Sequence, residues 1–596
     1  VSTDLKYAFR TLRRSPGFAC AAIVTLALGI AANGTVFTLV NGALIRDLPF
    51  DAPERIVALG VTDVGGPPQI FPALSYLELR DLQGNARTFD GIGGYSERTM
   101  NVADEEHAAE RFSGAFVSAN GLALLGQQPA LGRTLQPADE REGATPVVVL
   151  GWTVWRTRYR GSPDVLGRKI RVNGVPSVVV GVMPEGFGFP IESFLWRPLS
   201  AIEPDVKNDR QARRLGGFGR LRESVTFDQA RADLQSVISS LASTYPTMDR
   251  RLEARVEAFR GGVGGPIVAL LAAMTGAVAF VLLIACANVA NLLLARATMR
   301  AHEVSARMSI GASRWRIVRQ LLVESLVLAA CGGVLGLVLS AIAVRVFWIT
   351  ASQTHPPYWL QFPIDWRVFG YIAAVCLGTA VVFGLVPALH TAKANVVDVM
   401  TRGVTGGRRG RRWSATLVVG QLALTLVLLS GAGAMVRNLL TLSTMDPGID
   451  TSSLVRLRLD LPSPAYNTPG QRALFYRRLD ERLEATGLRS SIANVIPGSG
   501  GATREVAIEG RTDAATGARP TATMVTTGPR YFDTIGAQRI DGRMFAADDG
   551  EAGRSAAIVN ERFAAMHFGG ESAVGRRMRL SATGRQATRK TASRNG

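Results

Sequence analysis

The sequence predicts an α-helical membrane protein with inserted α+β extracytoplasmic domains, built on a duplicated plan with five transmembrane helices, four plus one. Three observations predict it. Across 596 residues, five long stretches contain no Asp, Glu, Lys or Arg: 15–45, 261–295, 325–344, 368–389 and 413–436. Each approaches or exceeds the roughly 20 apolar residues that cross a bilayer. The short segments between them alternate basic and non-basic, and the two long polar regions share a spaced set of residues.

Mean hydropathy is +0.15, yet the formal charge is +19, from 67 Lys+Arg against 48 Asp+Glu. Much of the basic charge flanks apolar runs, which fixes membrane orientation and argues against a nucleic-acid partner. The lipid bilayer is the partner this pattern implies. Cys20, Cys286, Cys331 and Cys376 fall one in each of the first four apolar segments, so they form no disulfide framework in the polar regions and no CxxC metal pattern. The five histidines are scattered, with no HExxH or His/Cys cluster to hold a metal.

In chain order, residues 1–16 form a cytoplasmic amphipathic N-terminus carrying Lys6, Arg10, Arg13 and Arg14. The apolar run after it is too long for a signal-peptide core, so 17–44 reads as uncleaved transmembrane helix 1. Residues 46–260 read as an extracytoplasmic α+β core domain. Strand patterns lie at 55–60, 147–150 and 175–182, and helices open at capping signals on Ser75/Glu78 and Thr226/Gln229. Transmembrane helix 2 (266–295), a cytoplasmic link (296–316), helix 3 (317–344) and helix 4 (368–389) make a permease-like unit over 266–400. The loop 347–366 has no Lys or Arg, as an external loop should. A basic linker (393–412) leads to helix 5 (413–436) and a second, incomplete extracytoplasmic domain (438–580). That domain opens with a strand pattern at 454–461 and a helix start at Thr468-Pro469.

The second domain repeats the first. Gly126, Gly132-Arg133 and Asp139 recur at an offset of 410 as Gly536, Gly542-Arg543 and Asp549. Val147–Leu150 answers to 557–560, and the run starting Gly167-Arg168 reappears at Gly575-Arg576. Such glycines mark turns, so the repeat signals a duplicated fold and not an active site. No counterpart of helices 2 to 4 follows, and the tail 581–596 reads as disordered, which favours a natural truncation over a fragment.

Catalytic machinery is not found. The chain has no GxxxxGK[ST] phosphate loop and no GxSxG elbow, so we expect no enzyme activity, no catalytic or metal residues and no cofactor in this chain. Asp104–Glu106 reads as a solvated loop, and Glu324 as a carboxylate near the cytoplasmic interface. The helices carry almost no other ionisable group, which does not support a polar conduit. Attention therefore falls on the link 296–316. It has an apolar side at Val304, Met308 and Ile310, and a helix stop at Gly311 before Ser313. Its residues fit either an interfacial helix under the membrane or a docking element for a cytosolic partner.

Residues 4–18, the stretch from Glu303 to Ser313 and Val386–Leu389 resemble the FtsX/MacB-type ABC transporter permeases, in the branch of internally duplicated permeases, here cut short in the second half. The resemblance implies a permease subunit in the bacterial cytoplasmic (inner) membrane, multi-pass, with its N-terminus cytoplasmic and its large domains outside. It implies a separate cytoplasmic ABC ATPase that binds the ATP and docks on the link, at Arg300, Glu303, Arg307, Gly311, Ala312 and Ser313. A second permease chain or a periplasmic adaptor would complete such an assembly. ATP hydrolysis would then move the external domains mechanically, in efflux or envelope work. A membrane-anchored sensor or scaffold, and a non-functional truncated remnant, are the alternative expectations.

Overall fold

Long apolar runs fold as helices because a backbone in lipid can satisfy its N–H and C=O groups only internally. The computed structural model describes residues 6, 10, 12–63, 72–245, 252–259, 265–299, 314–354, 356–392, 408–444, 449, 453–459, 461, 466, 468–495, 502–509, 521–546, 548–550, 554–569 and 571–580. Two units divide the chain, Val1–Asn438 and Leu439–Gly596. In the first, α1 (Pro16–Val40) ends in a π turn at Asn41–Ile45 and enters the soluble domain.

That domain is one mixed sheet with helices. Its elements are β1 (Ile56–Asp63), β2 (Ala73–Leu74), α2 (Tyr76–Asn85), β3 (Phe89–Ala103), β4 (Glu110–Val117), α3 (Gly121–Leu124), β5 (Leu131–Gly132) and β6 (Val147–Leu150). There follow α4 (Trp152–Arg158), β7 (Lys169–Val172), β8 (Val175–Val182), β9 (Leu195–Pro198), α5 (Pro204–Lys207), β10 (Leu215–Leu221), α6 (Phe227–Thr244) and β11 (Leu252–Ala258). The strand order is β11-β1-β2-β10-β3-β4-β9-β6-β8-β5, with β7 pairing both β3 and β8. Both faces are covered. Val148 and Leu150 point into a core with Leu79, Leu82, Leu234 and Ile238, while Val147 and Val149 point into a second with Phe189, Trp196 and Phe218. Burial on both sides explains why β6 is an unbroken run of apolar residues. Both capping boxes form, Ser75 with Glu78 and Thr226 with Gln229.

Asp104 is not in a solvated loop: its side chain is 2% exposed. Its carboxylate accepts from Arg158 Nε (3.1 Å), Tyr159 Oη (3.0 Å) and the backbone N–H of His107 (2.8 Å). Arg158 Nη1 also reaches Glu110 at 3.1 Å. Local spacing showed the acidic run but not the arginine 54 residues away that buries it.

The remaining helices of this unit are α7 (Gly265–Met299), α8 (Arg314–Ala351) and α9 (Trp366–Ala392), all packed with α1. Each outruns the apolar stretch expected of it, because helix ends in water tolerate the flanking charges. α10 (Arg408–Thr444) begins inside the expected basic linker, and none of its described residues is buried. Among the described residues, four spans could cross a membrane by length and composition: Pro16–Ile45, Ile267–Leu293, Val318–Ala351 and Val418–Thr444. Expected helix 4, α9, has a shorter apolar stretch, Trp366–Val382, among the described residues. Small residues set the packing. A Cβ on Gly332 would stand 2.9 Å from Leu26 Cβ, and one on Gly336 2.9 Å from Ile30 Cγ2, so α8 approaches α1 at a GxxxG spacing.

The second unit holds α11 (Pro469–Ala485), β12 (Ala502–Ile508), β13 (Thr521–Met524), α12 (Tyr531–Thr534), α13 (Glu561–Phe568) and β14 (Met578–Leu580). The duplication is physical. β12 pairs β13 and β14 antiparallel, as β3 pairs β4 and β7. Arg133 grips Asp139 through both Nη atoms, and Arg543 grips Asp549 in the same way. Gly132 and Gly542 have φ of 70° and 75°, and Gly167 and Gly575 both 79°. Thr468 and Gln471 close a capping box as well. The strand expected at 454–461 does not form among its described residues, 454–459 and 461. Its counterpart in the first domain, β1, is held by β2, β10 and β11. The tail 581–596 lies outside the described residues.

Two tests follow from this packing. Alanine at a left-handed position costs about 1–2 kcal/mol, so Gly542→Ala should weaken its turn by that amount in hydrogen exchange. Gly132→Ala should weaken its own turn more, since the new Cβ would also stand 2.3 Å from Val180 O. Burial alone would raise the Asp104 pKa, but the bonds from His107, Tyr159 and Arg158 outweigh it and hold the carboxyl well below its usual range. Its contribution is therefore complete above the ordinary value of about 3.9 and lost as pH falls through the folded value. Asp104→Asn, which leaves Arg158 without its buried charge partner, should cost about 3 kcal/mol in urea unfolding at pH 7. That difference should hold down to about pH 4 and shrink only below it.

Candidate functional site

The six residues expected to dock a partner, Arg300, Glu303, Arg307, Gly311, Ala312 and Ser313, lie outside the described residues. The structure describes both helices that enter the link, and from them the site can be built outward. α7 stays helical to Met299 and α8 begins at Arg314, so the helices take up both ends of the expected link. Arg296, in the last turn of α7, donates from Nη2 to Ser15 Oγ at 2.6 Å, and its guanidinium lies 4.5 Å from the centre of the Phe18 ring. The inner end of the link is thereby tied to the start of α1. Glu324, expected near the interface, is 3% exposed on α8 and accepts from Gln320 Nε2 at 3.5 Å.

α1 carries the contact through the helix bundle. Leu26 and Ile30 pack with Val289, Leu293, Leu328 and Ile372 from the other three helices. Asn33, 2% exposed, donates to the Gly29 carbonyl at 2.9 Å and across to the Val278 carbonyl of α7 at 2.7 Å. Tyr371 of α9 donates to Asn33 Oδ1 at 3.4 Å and stacks on Phe37 with ring centres 4.0 Å apart. The sequence reading missed Asn33. An amide in the middle of a 31-residue uncharged run was the available signal, because polar side chains in lipid need partners on other helices.

The outer end is held twice. Asn41 donates to Asp365 Oδ2 at 2.9 Å, while Asp365 Oδ1 accepts the N–H groups of Arg367 and Val368, both at 3.1 Å, and so caps α9. Burial opposes this charge. The Asn41 amide, the two N–H groups and the Arg367 charge overcome that and hold the Asp365 pKa below its ordinary value. Arg367 in turn reaches the Ile45 carbonyl at 3.3 Å and Asp47 at 3.2 Å. Beyond this, the α8–α9 loop plugs into the soluble domain. Tyr358 N–H donates to the Ile191 carbonyl at 2.7 Å, and Trp359 meets Phe259 with ring centres 6.1 Å apart. Phe259 packs on Phe50 and Phe189, and Trp196 Nε1 donates to the Phe189 carbonyl at 2.7 Å. Burial drives the Tyr358 phenol far above its usual pKa, which keeps it neutral. Among the described residues no group of three or more His, Cys, Asp and Glu could hold a metal ion.

The model for a MacB-like periplasmic core domain matches residues 19–237, and that for an FtsX-like permease C-terminal region matches residues 275–396. The chain belongs to the FtsX/MacB-type ABC transporter permease family. The "Macrolide export ATP-binding/permease protein MacB" of Campylobacter jejuni is 23% identical over 336 residues, covering 55% of this chain and 48% of that one. Its namesake from Neisseria meningitidis is 26% identical over 281 residues, covering 46% and 40%. The chain thus spans about half the length, or less, of these curated relatives. Among solved structures, the periplasmic region of MacB from Actinobacillus actinomycetemcomitans aligns at 14% identity over 34% of this chain and 89% of that one, with a TM-score of 0.28. Within this permease family the inserted α+β domain is the periplasmic core domain and α7–α9 form the permease region.

Interhelical hydrogen bonds in membranes are worth about 0.6 kcal/mol on average and up to about 1.7. Asn33→Leu, close in size and without the amide, should therefore lower the stability of the helix unit by about 1–2 kcal/mol. Unfolding of the detergent-solubilised chain in SDS reads this directly.

Proposed function

We propose that this chain is the transmembrane subunit of an ABC transporter, driven by a separate cytoplasmic ATPase and working by moving its extracytoplasmic domains. The observation that carries this reading is the unbroken series of contacts along α1. It begins where Arg296 holds Ser15 and Phe18, passes Asn33 and Phe37, and ends where Asn41 and Arg367 tie α1 to α9. The aromatic seat of Trp359 and Tyr358 then joins α9's loop to the periplasmic domain. A displacement at the link need travel only through packed side chains, which transmit strain because interiors are dense and nearly incompressible. No ionisable path for hydrophilic cargo is required.

In this reading the N-terminus and the link 296–316 face the cytoplasm, the two α+β domains face the periplasm, and the protein crosses the inner membrane several times. The basic segments at both the N-terminus and the link support that orientation. ATP is bound by the partner, which docks at Arg300, Glu303, Arg307 and the Gly311–Ala312–Ser313 turn. Export or envelope work is the use that fits, with a second permease chain or a periplasmic adaptor as further partners.

Co-purification with an ATP-hydrolysing P-loop subunit tests the docking role. Reversing both charges, Glu303→Arg with Arg307→Glu, should weaken capture at least tenfold, about 1.4 kcal/mol. Undiminished capture by a folded variant would remove the link from the docking surface.

A further inference from the structure

The first soluble domain holds a charge that its own residues do not balance. Arg197, on β9, is 5% exposed. Among the described residues no carboxylate lies within ion-pair distance of it and its guanidinium makes no hydrogen bond; Nε is buried and unpartnered. The Phe116 ring centre lies 5.8 Å from its guanidinium carbon. A ring face contributes only a small part of what a buried cation loses on leaving water. Arginine does not escape by giving up its proton: burial lowers its pKa only to about 10, so it is charged at neutral pH.

The neighbourhood is also short of partners. Phe116 pairs with Ser96 on one side and Arg197 on the other, so the three side chains share one face of the sheet. Ser96 is 2% exposed and its Oγ has no partner. Two strand spacings, about 10 Å, separate the backbones of Ser96 and Arg197, a gap that an arginine side chain lying over Phe116 largely spans. Arg197 also lies at a narrow join. β4 and β9 meet through three parallel residue pairs, Ala115–Val117 with Trp196–Pro198, and this pairing, together with β7 between β3 and β8, connects the antiparallel strands β11 to β4 with the group β9, β6 and β8.

We propose that Arg197 and Ser96 form a binding site for a small carboxylate anion at this join. A planar carboxylate matches the fork of a guanidinium and can accept the Ser96 hydroxyl as well. The near-complete burial of both residues limits the ligand to a head group of a few atoms, of acetate size. Binding supplies the missing counter-charge, so the anion stabilises the β4–β9 join and with it the relation of the two parts of the sheet.

The full chain in detergent, titrated with sodium acetate and separately with sodium chloride, tests this against Arg197→Met, in which general salt effects are retained. Above its Kd, acetate should raise the wild-type folding equilibrium of this domain roughly tenfold for each tenfold rise in concentration, with no such excess in Arg197→Met. Ser96→Ala should need higher acetate for the same shift. Equal responses in wild type and Arg197→Met, or equal responses of the wild type to chloride and acetate, overturn the carboxylate site. Should Arg197→Met fail to fold, wild-type crystals soaked in bromoacetate decide it. An anomalous bromine peak beside Arg197 supports the site, and its absence at saturating concentration overturns it.

Discussion

A buried amide in a membrane helix has to find its partners inside the protein, and Asn33 finds them on three helices at once. It bonds to its own helix at Gly29, to α7 at Val278 and to α9 through Tyr371. Because the alternative in hydrocarbon is an unsatisfied polar group, these bonds select one rotation of α1 against its neighbours. The close approaches at Gly332 and Gly336 then follow, since only that rotation presents Leu26 and Ile30 to the small face of α8. Fixing α1 also fixes both of its ends, where Ser15 and Asn41 make their bonds.

At the outer end the bundle and the soluble domain share a core. Trp359 comes from the loop between α8 and α9, and Phe50 and Phe259 from the two segments that enter and leave the domain. Packing of this kind has few intermediate arrangements, so the domain is seated against the helix bundle at the points where the chain enters and leaves it. The Asp365–Asn41 bond and the Arg367–Asp47 pair lie at the same level and resist sliding along the helix axes.

What was legible in the sequence was whatever depends on neighbours along the chain. The uncharged runs became helices, and the Ser75/Glu78, Thr226/Gln229 and Thr468/Gln471 pairs became capping boxes, because three residues' spacing decides them. The repeated glycines were legible for the same reason: each turn needs a left-handed residue at its own position. What was not legible was set by distant partners. Asp104 looked solvated because Arg158 is far off in the sequence, and Asn33 looked incidental because Val278 is 245 residues away. The segment 454–459 alternates like a strand, yet a strand needs a neighbour to bond with, and the pattern alone supplies none. The docking residues rested on resemblance and pattern together, which fix a place in the chain and not a geometry.

That same segment bears on how the protein behaves at high concentration. Val455 and Leu457 are 89% and 83% exposed, on a stretch of backbone that carries no ladder bonds. A strand-prone apolar stretch without ladder partners is a template for self-association between molecules. Arg456 and Arg458 interrupt it at alternate positions, so two copies aligned along this segment would set like charges against each other. The arginines act as gatekeepers, keeping a sticky stretch from seeding aggregates while leaving its apolar side chains in water.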